Sequence, residues 1–370
     1  MRLFTCQVCG QVLYFENRNC QRCGHTLGYL PDDAMMIALE QQQDGTTWLP
    51  AVRAEAVTNQ DTPDPADPGR RLLFCANAGH DACNWLVEEG GETFCAACRF
   101  NREIPDLSVG GNLARWRNLE LGKHRLFYSL MHLKLPLANR IDDPAHGLVF
   151  DFLAVPRPGD EKVMTGHDEG VITINLAEGD AAEREKLREA MGEPYRTPLG
   201  HFRHEIAHYY WDVLVRDAGD DGKRLADCRA VFGDDSADYG EALKRHYANG
   251  APADWQQNYV SAYATSHPWE DFAETWAHYL HIVDTLEMAG AFGVRVQPTG
   301  SADPTLTSVV DFDPHAAPSA EALVERWLPL TFAVNSLNRS MGQSDLYPFV
   351  LPQPVIAKLE YIHRLIHATA

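Results

Sequence analysis

His204-Glu205-Ile206-Ala207-His208 sets two imidazoles four residues apart with a carboxylate beside the first. On a helix this spacing stacks both rings on one face, while Glu205 projects beside them toward an attacking water. The chemistry such a set performs is metal-assisted hydrolysis, in which the histidines ligate zinc and the glutamate is the general base. The segment follows Pro198 and keeps apolar residues at helical intervals through Phe202, Ile206, Tyr209 or Tyr210, and Val213. A helix over residues 199–216 is therefore expected.

A zinc hydrolase needs a third protein ligand and an open fourth position. Glu270 is the best candidate, with Glu274 one turn further along the same helix face. The first acid can reach zinc while the second accepts the free N–H of a ligating histidine. In the alternative, Glu270 is only the N3 capping carboxylate of a helix starting at Pro268, and Glu274 takes its place as ligand. Asp212, four residues after His208, is placed to orient that imidazole. His201 reads as a histidine outside the ligand set, and His278 and His281 as packing or solvent residues. Asn338, Arg339 and Ser340 either line the cleft or form a hydrogen-bond network at a helix end.

Eight of the nine cysteines precede Arg99. Cys6, Cys9, Cys20 and Cys23 form two CxxC pairs, each followed by a glycine (Gly10, Gly24), a pattern that builds a closed tetrahedral zinc site. Cys75, Cys83, Cys95 and Cys98 offer a second structural zinc, with His80 able to replace one sulfur. Pairing across the two clusters is also open at this stage. Cys228 stands alone and is expected to be buried and inert. The expected metal content is thus three zinc ions, one catalytic and two structural.

The elements that must position these groups fall in two regions. Residues 1–107 are cysteine-rich and read as a zinc-ribbon module of two small zinc sites, joined by an exposed proline-acid loop at 61–69. Residues 108–370 carry long amphipathic segments, with helices expected at 113–135, 181–191, 199–216, 239–248, 268–288, 320–341 and 355–367. Strands are expected at 148–155 and, as a hairpin around Gly166-His167-Asp168-Glu169-Gly170, at 162–165 and 171–176. The β content is expected to be confined there, and the segregation of strands from helices indicates an α+β fold.

Lys and Arg number 32 against 52 Asp and Glu, a net charge of −20. Such a chain repels phosphate backbones, so a nucleic-acid partner is not expected. No 18-residue apolar run and no signal-like start are present, which makes the cytoplasm the expected compartment and excludes a membrane span. A protein partner held by the ribbons remains open.

HExxH followed by a distant ExxxE helix resembles the gluzincin pattern. Glu270-Asp271-Phe272-Ala273-Glu274 is particularly similar to the motif of lethal-factor-like metallopeptidases, which carry a tyrosine seven residues before the ligand glutamate. That position is Tyr263 here. The resemblance implies that Tyr263 stabilises the oxyanion, and the residues alone read it equally as a packed aromatic. Over its whole length the chain resembles a bacterial family of zinc-binding metallopeptidases with an N-terminal zinc ribbon. The matching stretches are Cys83-Asn84-Trp85-Leu86-Val87, Phe150-Asp151-Phe152-Leu153-Ala154, Met164-Thr165-Gly166-His167, the HExxH helix, residues 268–281 and Asn335-Ser336-Leu337-Asn338-Arg339-Ser340-Met341-Gly342. It implies a mostly helical zincin-like domain, hydrolysis of a restricted set of proteins or peptides, and a strand (171–176) that offers its edge to the substrate. The alternative is a non-catalytic zinc scaffold, or a ribbon regulator that docks a protein or nucleic acid.

Overall fold

The first cysteine pair sits at a turn between β1 (Phe4–Thr5) and β2 (Val12–Leu13), which pair antiparallel. Gly10 adopts a φ of 73° there, a left-handed conformation that glycine takes without a Cβ penalty. The computed structural model describes residues 2–52, 69–154, 163–191, 197–301 and 303–368; most of the expected 61–69 loop, and Lys162, lie outside them. A five-stranded antiparallel sheet follows in simple chain order: β3 (Thr26–Leu30), β4 (Met35–Gln41), β5 (Trp48–Pro50), β6 (Leu72–Phe74) and β7 (Leu86–Glu88). Its two edges meet, because Tyr29 N–H donates to Asn84 O at 2.9 Å. A Cβ at Gly28 would lie 2.7 Å from Leu86 Cγ, so this closure needs glycine at that point. The expectation that β structure is confined to residues 148–176 is corrected by this sheet. The cysteine clusters are parts of one β-rich module.

The second sheet has the order β10-β11-β9-β8, built from β8 (Asn101–Glu103), β9 (Val149–Leu153), β10 (Gly166–Asp168) and β11 (Val171–Asn175). Between β8 and β9 runs α1 (Asn112–His132). Strands β8, β9 and β11 are parallel, and β10 turns back antiparallel at one edge. The hairpin is tighter than expected. Its first strand is Gly166–Asp168 rather than 162–165, and its two-residue turn, Glu169-Gly170, holds φ values of 44° and 84°, as a primed hairpin turn requires. Strand β11 is paired on both sides, so the edge belongs to β10, which corrects the expected exposed edge at 171–176.

Helices then follow: α2 (Ala181–Met191), α3 (Pro198–Trp211), α4 (Lys223–Phe232), α5 (Tyr239–Asn249) and α6 (Pro268–Ala291). A small pair, β12 (Arg295–Val296) and β13 (Ser308–Val309), precedes α7 (Ala320–Ser340) and α8 (Gln353–His367). α3 continues as a π-helical turn over Asp212–Arg216. α4 is the helix that the periodicity did not reveal; it is short, charged, and buries only Cys228 and Phe232. Burial pushes the Cys228 thiol up to about 12, in keeping with an inert residue. The core runs without interruption from the module into the helices. Phe15, Tyr29 and Trp85 form an aromatic group that includes Tyr128 of α1, and Phe150 and Phe152 of β9 pack on Phe202 of α3. The packing of α1 on α3 passes through Gly122, where a Cβ would come within 3.3 Å of the Phe202 ring. This is a mixed α+β fold with a β-rich ribbon region followed by a mostly helical part.

Candidate metal centre

α3 starts cleanly because Thr197 accepts the Gly200 N–H at 3.0 Å and Pro198 occupies the first turn. Two turns in, His204 and His208 face α6. α6 starts at Pro268, and its cap is the His267 side chain, which accepts from Trp269 N at 3.2 Å. Glu270 is thereby left to point into the core, 1% exposed. Its Oε2 lies 2.9 Å from His204 Nε2 and 3.6 Å from His208 Nε2, and the two nitrogens are 3.2 Å apart. His204 Nδ1 is 2.7 Å from Glu274 Oε1, so it carries the proton and presents a lone pair at Nε2. Among the described residues, neither Glu270 Oε2 nor His208 Nδ1 has a hydrogen-bond partner. Two imidazole nitrogens and a buried carboxylate oxygen converging at these separations fit a zinc ion about 2.0–2.1 Å from each.

The surrounding groups hold this triangle in place. Glu274 Oε2 accepts the Ser261 hydroxyl at 2.6 Å, and Glu270 Oε1 accepts the Tyr239 hydroxyl at 2.7 Å. Trp269 covers His208 with a ring separation of 3.8 Å. Burial opposes ionisation of Glu270, yet His208 and His204 hold its pKa well below the usual carboxylate range. Glu205 is buried beside the triangle; desolvation raises its pKa, with His204 and His208 opposing. Replacing Glu274 by Ala removes the acceptor that fixes the His204 tautomer. We expect a loss of about 10- to 100-fold in zinc affinity, read by competition with a chromogenic chelator, with ribbon zinc unchanged.

Tyr263 lies in a turn just before α6, its ring 6.0 Å from that of His204 and 5.9 Å from that of His246. Burial, then the charge of Glu270, raises its phenol pKa far above the ordinary value. Asp212 does not do what its spacing suggested. Its Oδ1 takes Arg216 at 2.8 Å and its Oδ2 is 3.9 Å from His167 Nε2, while His208 Nδ1 has no hydrogen-bond partner among the described residues; the ion pair with Arg216 takes the carboxylate instead. His201 pairs with Glu178, His278 Nδ1 meets the Tyr347 hydroxyl at 2.7 Å, and His281 contacts Arg203. Asn338, Arg339 and Ser340 close the end of α7 through Ser344, Asp345 and Leu337, as the helix-end reading expected. Tyr239 escaped the sequence reading, and His167 entered it only as part of the hairpin and of a family-like stretch, not as a residue of the site. His167, on edge strand β10, stacks 6.3 Å from His208, and burial lowers its pKa to about 3.

The cysteines gather as two separate sets, Cys6, Cys9, Cys20 and Cys23, and Cys75, Cys83, Cys95 and Cys98. Sulfur separations of 3.7 Å (Cys6–Cys23), 3.5 Å (Cys9–Cys20) and 3.7 Å (Cys83–Cys95) match those around a tetrahedral zinc with bonds of about 2.3 Å. His80 is not a member. It is exposed and packs its ring on Trp116. The histidine at the second set is His124 of α1, whose Nε2 lies 3.2 Å from Cys83 Sγ and 3.5 Å from Cys98 Sγ. Its Nδ1 donates to the Glu120 carbonyl at 2.6 Å, and fully buried Lys123 pairs with Glu120 at 2.9 Å behind it. Burial lowers the pKa of each base, but the neighbouring Cys98 and Glu120 outweigh it and raise both.

Residues 112–365 match the family described as "Putative zinc-binding metallo-peptidase", and residues 3–109 match a zinc-ribbon domain. The chain belongs to that metallo-peptidase family. Its curated relatives include the uncharacterized proteins Rv2568c of Mycobacterium tuberculosis and Mb2598c of Mycobacterium bovis. Each is 41% identical over 375 residues, covering 100% of this chain and 96% of the relative. No solved structure matches the chain. The family match covers all of His204, His208, Glu270 and their partners, and the ribbon match covers both cysteine sets. No helix among the described residues is long and apolar enough to cross a membrane.

Proposed function

We propose that the chain is a zinc-dependent peptidase of the gluzincin type, with His204, His208 and Glu270 as catalytic ligands and the two cysteine sets as structural zinc sites. The observation that carries this reading is the convergence of His204 Nε2, His208 Nε2 and Glu270 Oε2 beside buried Glu205. Zinc, when bound, lowers the pKa of water to about 7 and polarises the scissile carbonyl. Glu205 takes the proton of the attacking water and passes it to the leaving amine, a role suited to a carboxylate whose basicity burial has raised. Glu274 keeps His204 in the tautomer that presents Nε2, and Tyr239 orients Glu270 through Oε1. Tyr263, held protonated, donates to the oxyanion as the carbonyl becomes tetrahedral.

β10 supplies the substrate's docking edge in this reading. It is the outer strand of its sheet, and His167 on it faces His208. An extended peptide pairing with β10 would run past the metal triangle by strand addition. Residues 1–107 form the ribbon module and 108–370 the catalytic domain, and the reduced cysteine sets suit the cytoplasm. An active protease there must be restrained, so we expect a narrow substrate set. The test is a mixed peptide library incubated with the holoenzyme, with 1,10-phenanthroline, and with zinc restored. Cleavage that the chelator stops and zinc restores supports the reading. Cleavage indifferent to chelation contradicts it, no cleavage at full zinc loading favours a scaffold, and ready digestion of casein would refute narrow specificity.

A further inference from the structure

α1 ends on His132, and far along the chain the turn Pro314–Ala316 carries His315 beside Asp313. A ring nitrogen of each histidine and a carboxylate oxygen of Asp313 lie within 4.8 Å of one another. The two imidazole rings are 4.2 Å apart, and His315 Nδ1 is 3.4 Å from Asp313 Oδ1. Two donors each about 2.1 Å from a tetrahedral ion are about 3.4 Å apart.

The His315 side chain is only 3% exposed, yet neither of its ring nitrogens has a hydrogen-bond partner among the described residues. A buried imidazole that meets its three neighbouring carboxylates only at 3.4–4.0 Å is a costly arrangement that a bound ion, or a proton on the ring, relieves. Two further carboxylates flank it, of which Asp284 also accepts the Ser129 hydroxyl and pairs with Arg203. Glu287 Oε1 stands 4.0 Å from Nδ1 and accepts the Tyr128 hydroxyl at 2.8 Å, while Asp284 Oδ1 lies 3.7 Å from Nε2. With Nδ1 on a metal, the proton sits on Nε2 facing Asp284, the same carboxylate–histidine arrangement that Glu274 makes with His204. A cavity of about 400 Å³, lined by Arg2, Glu287, Asp311, Phe312 and Asp313, adjoins the cluster.

We propose that His132, Asp313 and His315 form a further metal site, separate from the peptidase centre and from both ribbons, which takes a divalent transition ion of the zinc class. Two imidazoles and a carboxylate suit zinc better than magnesium or calcium, which prefer all-oxygen sets. The ion ties the end of α1, the helix that carries His124 against the second cysteine set, to the segment that leads into α7.

The rival is a protonated His315 held by Asp313, Glu287 and Asp284 with no ion. Zinc per chain, measured on the full protein after equilibration at buffered micromolar free zinc, separates the two. The variants are His315→Ala, Asp313→Asn and, as a control for the peptidase centre, Glu270→Ala. Asp313 is largely exposed and also caps His315 N at 3.0 Å; asparagine caps equally well, so Asp313→Asn keeps the turn and removes the charged ligand. The site predicts one equivalent lost in Asp313→Asn and in His315→Ala, and two in Asp313→Asn combined with Glu270→Ala. If Asp313→Asn and His315→Ala both hold as much zinc as the wild type, the site does not exist. A loss confined to Glu270→Ala likewise overturns it while leaving the peptidase centre intact.

Discussion

Glu205→Gln is expected to lower peptide hydrolysis by about 10³-fold while leaving the zinc content unchanged. Glutamine matches glutamate in size and fills the same buried space next to His204 and His208, so the fold has no reason to yield. What it loses is the ability to accept a proton from the water and deliver it to the amine. Glu205 makes no contribution to the metal triangle, whose atoms come from His204, His208 and Glu270. Rate and metal content therefore separate in this variant, measured by peptide cleavage and elemental analysis on one sample. A variant that keeps wild-type activity would remove Glu205 from the chemistry and favour the scaffold reading.

The second large effect concerns stability. Cys95→Ser with Cys98→Ser should cost at least about 5 kcal/mol and lower Tm by about 10 °C or more, because structural zinc in ribbon peptides binds with about 10–16 kcal/mol of apparent free energy. All four sulfurs of that set are buried, whereas Cys9 and Cys23 of the first set are half-buried. The second set also holds His124, and with it α1, whose Gly122 packs on Phe202 two residues before His204. Loss of the second zinc should therefore weaken zinc at the catalytic triangle as well. Cys20→Ser with Cys23→Ser should affect it less. Equal effects of the two double variants on catalytic zinc affinity would show that α1 does not couple the sites.

Much of the candidate site was legible because its signals are local. HExxH declares itself within five residues on an amphipathic helix, and Glu270 and Glu274 stand one turn apart on another. The groups that escaped come from elsewhere in the chain and carry no pattern. Tyr239 reaches Glu270 from the first residue of α5, and His124 reaches Cys83 from 41 residues away. Asp212 misled for a related reason. An i, i+4 relation on a regular helix predicts contact with His208, but the carboxylate pairs with Arg216, four residues further on.

The helices of the C-terminal part followed their apolar period closely, as the bounds of α2, α6 and α8 show. The ribbon sheet did not. Its strands are short, and Met35–Leu39 of β4 is buried on both faces, so the alternation that marks a half-exposed strand is absent. The hairpin was displaced because Gly166-His167-Asp168 contains no strand-favouring residue; it pairs with β11 through a turn set by Glu169 and Gly170. α4 was hidden by its charge, since only two of its side chains reach the core.

The most direct test of the central claim is zinc bound per chain at the peptidase centre, measured by elemental analysis on wild type, His204→Ala and Glu270→Ala under one free-zinc concentration. The structure predicts that each variant loses one equivalent and that the ribbon zinc persists, since the cysteine sets share no ligand with the triangle. Wild-type zinc in both variants would contradict the account, because His204 and Glu270 would then face each other across 2.9 Å with no metal between them.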